Sequence, residues 1–317
     1  MEKAVDDNPH RLDKLRNFSV DMLTDGFLEY LKSERNRSVR TVALYGDALS
    51  EFQRFFEKLG DDLTWESVDA EIVRDWIIHL LDEQKQKETT VNLKLSALRT
   101  FYHYLNLIGR VKKNPLLKVT GPKKKKTLPA FLRDDEINQL LDAPADTEDF
   151  KQVRDHTILL MLYVTGMRNA ELRSLRDKDI LMNERQIKVT GKRNKQRIIP
   201  FGDELAKGIE NYWRVRKATF GNMPPEAVFM LDDKGREMNG PQLSLHVSHL
   251  LSQATSQKKR SPHVLRHTFA TSMLNNGADL QAIQKLLGHE SLNTTQIYTH
   301  LSFEELKKEY NGAHPRS

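Results

Sequence analysis

The sequence predicts a mainly α-helical protein of two domains with one small β-hairpin or sheet. Three observations carry that expectation. The chain has 317 residues, and at roughly 100 to 200 residues per domain this makes two domains the default. Through most of the chain, apolar residues recur at three- and four-residue intervals, the spacing of a helix with one buried face. Only around "RQIKVTGKRNKQRIIPF" does the pattern alternate, which is the spacing of a strand.

The N-terminal part is helical by this measure. In "SVRTVALYGDALSEFQRFFEKLG", Val42, Tyr45, Leu49, Phe52 and Phe56 form one face. Ser38 offers a side-chain N-cap and Gly60 a stop. "TTVNLKLSALRTFYHYLNLIG" repeats the pattern with Leu95, Leu98, Phe101, Tyr102 and Leu105, and ends at Gly109. "WESVDAEIVRDWIIHLLDEQ" is a third helix. Together they define a helical domain over 17–112. Over 113–130, Pro115, Gly121, Pro122 and Pro129 break the periodicity. Lys123, Lys124, Lys125 and Lys126 form an unbroken basic run there. It reads as a solvated linker, as a linker pressed against phosphate, or as both.

The second domain spans 131–317. "DDEINQLLDAP" and "VRDHTILLMLYVTGMRNAELRSL" read as helices. Ile187 and Val189 precede a glycine-containing turn and Ile198 follows it, giving a hairpin with "GKRNKQ" at its tip. "AVFML" reads as a further short strand. "PQLSLHVSHLLSQA", "HVLRHTFATSMLNNG", "LQAIQKLLGH" and "FEELKKEY" return to helix.

Composition narrows the chemistry. There are no cysteines, which removes disulfides, thiolate catalysis and cysteine-ligated zinc. No run of about 18 apolar residues is present, so no spanning helix and no membrane partner is expected. "MEKAVDDNPHRLDKL" lacks the apolar core of a signal peptide. The simplest compartment is therefore the cytoplasm. Net charge is +6 and the isoelectric point is about 9.2, a balance that favours a polyanionic partner such as nucleic acid.

Four stretches hold candidate chemistry. Arg168 in "TGMRNAEL" opens a helix, where free N–H groups and the dipole suit phosphate, and a guanidinium adds a bidentate fork. It also reads as an arginine paired with Glu171. His263 and Arg266, three apart, share one helical face; they also read as a core histidine beside a surface arginine. The hairpin tip carries Lys192, Arg193, Lys195 and Arg197, which reach solvent, a DNA backbone or an active site. In "LLGHESLNTTQIYTH", Tyr298 is a packing residue or a nucleophile. As a nucleophile it needs cations or a base to favour phenolate, and Arg168, Lys192, His263, Arg266 and His289 offer both. Attack on a phosphodiester puts charge on the non-bridging oxygens, which cations stabilise. No acidic cluster of the kind a metal-dependent nuclease uses stands out, and neither metal nor cofactor is expected.

These blocks resemble the tyrosine recombinases of the phage integrase family, and within it the Xer type. The match runs through "TGMRNAEL", "VTGKRNKQRIIP", "HVLRHTFAT" and "LLGHESLNTTQIYTH", with Arg-to-Lys, His-to-Arg and His-to-Tyr separations of 24, 3 and 9 residues as in the family. The tail, down to "AHPR", and "LSALRTFYHYL" resemble it too.

The resemblance implies a C-shaped, two-domain clamp on duplex DNA, a helical core-binding domain joined to an α+β catalytic domain. It implies that Tyr298 attacks to form a 3′-phosphotyrosine and that Arg168 and Arg266 clamp the phosphate. His289 would add a hydrogen bond, His263 handle the tyrosine proton, and Lys192 protonate the leaving 5′-oxygen. Glu171 and His267 would support the helices that carry the arginines. Lys123 to Lys126, Arg193, Lys195 and Arg197 would line DNA. Partners would be a palindromic recombination site and a homo- or hetero-tetramer formed with a sister recombinase on two sites. An FtsK-type translocase would be a further partner, and the nucleoid the setting. The last helix, amphipathic through Phe303, Leu306 and Tyr310, packs on its own domain or, as the resemblance implies, is exchanged with a neighbour. The function implied is resolution of chromosome dimers; the alternatives are a mobile-element integrase, a type IB topoisomerase-like relaxer and a non-catalytic DNA-binding protein. Leu93 stands where many relatives have arginine, which puts one DNA contact in doubt. Arg133 stands where they have a serine cap, leaving Asp134 as substitute cap.

Overall fold

In the computed structural model, residues 20–35, 37–60, 62–123, 130–143, 146–191, 194–288 and 302–317 are described. The chain divides into two compact units, Met1–Thr127 and Leu128–Ser317. Among the described residues no helix is long and apolar enough to cross a membrane.

The first unit is helical. It contains α1 (Val20–Ser33), α2 (Val39–Glu57), α3 (Ala70–Ile78), which runs on as a π turn over His79–Glu83, and α4 (Glu88–Leu107). Ser38 caps α2, its side chain accepting the Thr41 N–H. Asp69 caps α3 through the N–H groups of Glu71 and Ile72. The α2 face expected from spacing is the buried one. Its Phe52 meets Trp76 at 4.8 Å, and Trp65 meets Phe101 at 4.7 Å, edge to face. Phe52 is fully buried, so truncation to alanine costs about 3–5 kcal/mol. The segment expected as linker from residue 113 begins with a 3-10 turn, Pro115–Lys118, and adds Leu116 and Val119 to this core. Lys123 is exposed; Lys124, Lys125 and Lys126 lie outside the described residues. Leu93 sits exposed on α4.

The second unit is built around α6 (Phe150–Thr165), which is buried on nearly every side. A helix apolar all round belongs in a core. Packed against it are α5 (Asp134–Leu141), α8 (Asp203–Phe220), α9 (Gly240–Leu251) and α10 (Pro262–Asn275). Gly166 ends α6 in the left-handed region, φ 59°, and α7 (Asn169–Ser174) follows at once. Strands β1 (Ile180–Leu181), β2 (Gln186–Thr190) and β3 (Gln196–Pro200) form an antiparallel sheet in that order. Two more helices, α11 (Leu280–Leu287) and α12 (Phe303–Ala313), complete the unit. Buried charges are paired: Arg154 with Asp155 and Asp233, Arg216 with Asp177.

In the hairpin, Ile198 is 40% exposed, while Ile199 and Pro200 of β3 are buried. The register pairs Ile187 with Ile199, so these two share the core face and Ile198 points away. "AVFML" is not a strand; Val228 and Leu231 make isolated bridges to Arg176 and Glu237, with no continuous neighbour to pair with. Asp134 is the first helical residue of α5, not its cap. The cap position is Arg133, whose N–H is accepted by Glu136 at 2.9 Å. Helix α12 packs on its own domain: Tyr310 is fully buried and its hydroxyl donates to the Val164 carbonyl at 3.2 Å.

Candidate active site

The site assembles where α7, α10, β3 and the end of α11 meet. Arg168 is the N-cap residue of α7, placed there by the left-handed turn at Gly166. A methyl at Gly166 would stand 2.5 Å from the Phe269 ring and 2.9 Å from Leu287, so only glycine lets α6, α10 and α11 converge here. The Arg168 N–H donates to Glu171 Oε2 at 2.7 Å, and its guanidinium donates to Glu171 Oε1 at 2.8 Å. The plain pairing with Glu171 is therefore present, yet Arg168 remains 39% exposed.

Arg266 reverses the bland expectation for the α10 pair. The arginine is buried and His263 is exposed. Its guanidinium donates to the Gly166 and Leu287 carbonyls, each at 2.6 Å. Burial, then the nearby Arg168, bring Arg266 down to about 10, with Glu171 opposing. It stays a cation at neutral pH. His263 and His267 face each other with ring centres 6.0 Å apart. Burial first, then His263 and Arg266, push His267 below its ordinary value.

Arg197, on β3, was expected with the DNA-facing hairpin tip. Its guanidinium instead grips Glu171 with two bonds, 2.9 and 2.8 Å, and its Nε donates to the Leu286 carbonyl at 2.7 Å. Only 13% of its side chain is exposed. Burial works against the Glu171 charge, but the Arg197 fork and the Arg168 bonds hold its carboxyl at about 2.

Three successive carbonyls at the end of α11 thus accept from three arginines: Leu286 from Arg197, Leu287 from Arg266, and Gly288 from Arg168 at 3.1 Å. A helix C-terminus carries partial negative charge and favours cations. The convergence puts Arg168 and Arg266 side by side, and two bonds do not exhaust the five N–H donors of a guanidinium. The pair can therefore still hold an oxyanion. Sequence spacing names the arginines but not this partner, because a backbone carbonyl 120 residues from Arg168 leaves no side-chain signal. The one local hint is Gly288, left-handed at φ 64°.

Lys195 is exposed. Lys192, Arg193, His289 and Tyr298 lie outside the described residues. His289 directly follows Gly288 in the chain. Among the described residues no group of acidic and histidine side chains is arranged to hold a metal ion.

Comparison with known proteins adds independent findings. Residues 130–305 match the phage integrase family and residues 24–107 the phage integrase N-terminal SAM-like domain. The chain is 38% identical over 296 residues to tyrosine recombinase XerC of Lactobacillus delbrueckii subsp. bulgaricus, covering 93% of this chain and 99% of that one. It is 36% identical over 294 residues to tyrosine recombinase XerC of Bacillus pumilus, covering 92% and 95%. Among solved structures, it resembles the site-specific recombinase XerH bound to its difH substrate, with a TM-score of 0.65, 22% identity and coverage of 94% of this chain and 86% of that one. It also resembles the Tn1549 transposon integrase in complex with transposon right end DNA, with a TM-score of 0.68, 19% identity and coverage of 91% and 98%. At those identities the two structures speak for the fold.

Proposed function

The chain belongs to the phage integrase family and is a Xer-type tyrosine recombinase; from that premise we propose that it exchanges DNA strands through Tyr298 to resolve chromosome dimers. The observation that carries the site assignment is the convergence of Arg168 and Arg266 on adjacent carbonyls, Gly288 and Leu287.

In this reading both guanidiniums take the non-bridging oxygens of the scissile phosphate. The Tyr298 oxygen attacks phosphorus, forming the tyrosine–phosphorus bond as the bond to the 5′-oxygen breaks. The tyrosine proton passes to His263, and Lys192 gives a proton to the leaving oxygen. His289 donates to the phosphate. The reverse step uses a 5′-hydroxyl of the partner strand as nucleophile. Charge builds on the phosphate in the transition state, and prepositioned cations lower that barrier. Each cut bond is stored as a phosphotyrosine ester, so rejoining needs no nucleotide hydrolysis.

The substrate is a palindromic double-stranded site bound by two protomers, with two sites joined in a tetramer. Lys123 to Lys126 and, on the hairpin tip, Arg193 and Lys195 supply backbone contacts. A sister recombinase and an FtsK-type translocase fit the same role. Near-complete alignment with XerC of two bacteria favours the chromosomal role over integration of a mobile element.

The test is trapping on nicked suicide DNA drawn from the host's replication terminus. The unaltered chain should give a covalent protein–DNA adduct, and Tyr298→Phe should bind equally but give none. An adduct from Tyr298→Phe refutes the nucleophile. Adducts only at mobile-element ends refute the chromosomal role.

A further inference from the structure

The recombinase reading assigns no task to the Arg197 side chain beyond touching DNA, and its geometry does not suit that task. A phosphate contact needs guanidinium nitrogens left over from the protein's own hydrogen bonds. Arg197 is instead largely buried, with three of its five N–H donors committed to Glu171 and the Leu286 carbonyl. Its stem lies against Gly288, where an added methyl would meet Cδ and Nη1 at 3.2 Å. The hairpin backbone closes on the same carboxylate, since a methyl at Gly191 would stand 3.4 Å from Glu171 Oε1.

We infer that Arg197 is a positioning residue for strand cleavage: it ties Glu171, and through Glu171 the Arg168 guanidinium, to the carbonyl end of α11. This inference rests on the recombinase reading for its catalytic consequence. Glu171 lies between two cations, Arg197 from β3 and Arg168 from its own helix, with Arg266 of α10 also close by charge. Remove the fork and one buried carboxylate must hold Arg168 alone. Arg168 then gains freedom at the moment it must meet phosphate. The same loss unties β3 from the turn that leads directly to His289. One contact thereby couples β3, the first phosphate arginine and the carbonyl end of α11. A misplacement of about 1 Å at a reacting centre costs about 100-fold in rate.

The test compares Arg197→Lys and Arg197→Gln with the unaltered chain on suicide DNA. Lysine keeps the charge but lacks the planar fork. Affinity for uncleaved DNA, and the slope of log affinity against log salt, should be unchanged in both variants. Single-turnover cleavage at saturating DNA should fall about 10- to 100-fold, and the double variant Glu171→Gln/Arg197→Gln should cleave no worse than the poorer single one. Cleavage by Arg197→Gln should also gain an acid limb. Without the fork the buried Glu171 carboxyl rises from about 2, neutralises as pH falls through its new value, and releases Arg168. A purely structural role would lower the melting temperature without creating that limb. A salt slope smaller by about one marks Arg197 as a phosphate contact and overturns the inference; so does Arg197→Lys cleaving at the unaltered rate. If Arg197→Gln does not fold, Arg197→Lys decides by the same readings. If the unaltered chain forms no adduct, the recombinase reading fails by itself. Arg197 is then judged by stability against pH: its loss must move the Glu171-linked acid transition upward, and an unmoved transition overturns the coupling.

Discussion

Glu171 and Arg266 show how cations are held in place at the proposed phosphate site. A guanidinium buried beside two others is costly unless its donors are met. Here the partners are one carboxylate and a row of backbone carbonyls. The Glu171 carboxyl sits at about 2 in the folded chain and near 4.3 when unfolded. A depressed carboxylate adds stability that is present above the unfolded value and is lost as pH falls through the folded one. The chain should therefore lose about 3 kcal/mol from Glu171 between roughly pH 4.5 and 2. In Glu171→Gln, urea unfolding across that window should be flatter by this amount, and equal slopes would count against the linkage. Arg266→Ala removes one cation of the proposed phosphate clamp and strands the Gly166 and Leu287 carbonyls. It should cost about 1–3 kcal/mol per buried acceptor and about 100- to 1,000-fold in cleavage. Arg266→Ala cleaving within a few-fold of the unaltered chain would remove Arg266 from the phosphate clamp.

The elements divide by how much of their burial is local. Helices α2 and α4 are legible because one apolar face supplies the whole first core. Helix α8 escapes that reading because its buried face includes Arg216, tolerated only because Asp177, 39 residues earlier, neutralises it. Strand β3 is legible as a strand, but its register is set by pairing with β2, which is why Ile199 and not Ile198 is inside. The arginines were legible by type and spacing; the carbonyls they meet were not, since backbone atoms carry no sequence signature. The left-handed turn at Gly166 makes the convergence possible and gives a sharp expectation. Gly166→Ala places a methyl 2.5 Å from Phe269 at positive φ. With about 1–2 kcal/mol for the left-handed backbone and about 1–3 for overpacking, it should lose about 2–5 kcal/mol by chemical denaturation; a loss below 1 kcal/mol would mean that α6, α10 and α11 can separate freely. At the other end, His314 packs between Tyr163, Phe269 and Tyr310, and burial pushes its imidazole down to about 4. A histidine lowered in the fold binds its proton more readily when unfolded, so stability falls as pH drops from about 6.5 toward 4. Amide protection in α12, corrected for the intrinsic exchange rate at each pH, should fall between pH 7 and 5. Corrected protection that does not respond to pH would remove His314 as the anchor.

At the scale of the whole molecule, α12 raises a question of competition. It packs on its own domain through Leu306, Tyr310 and Ala313, with Asn276 donating to the Ala313 carbonyl at 2.8 Å. The resemblance to Xer recombinases implies the same helix handed to a neighbour. The two arrangements are not exclusive, because an exchanged helix meets the same surface on the next protomer. Substitutions such as Tyr310→Phe, which lose about 1 kcal/mol of hydrogen bonding, therefore weaken both arrangements and leave their ratio nearly unchanged. What differs is concentration. Docking within one chain is intramolecular, with an effective concentration of order millimolar for a short tether, so free protomers at micromolar concentration keep their own helix. Two protomers held side by side on one DNA site face each other at comparable effective concentration, and exchange then becomes competitive. The chain should accordingly sediment as a monomer at about 1–10 μM without DNA. It should assemble only on a DNA containing both half-sites, and the assembly should be lost steeply with added salt as the phosphate contacts weaken. A stable dimer or tetramer in the absence of DNA would show that own-chain docking is not the resting arrangement, and would move control of exchange from DNA to protein concentration.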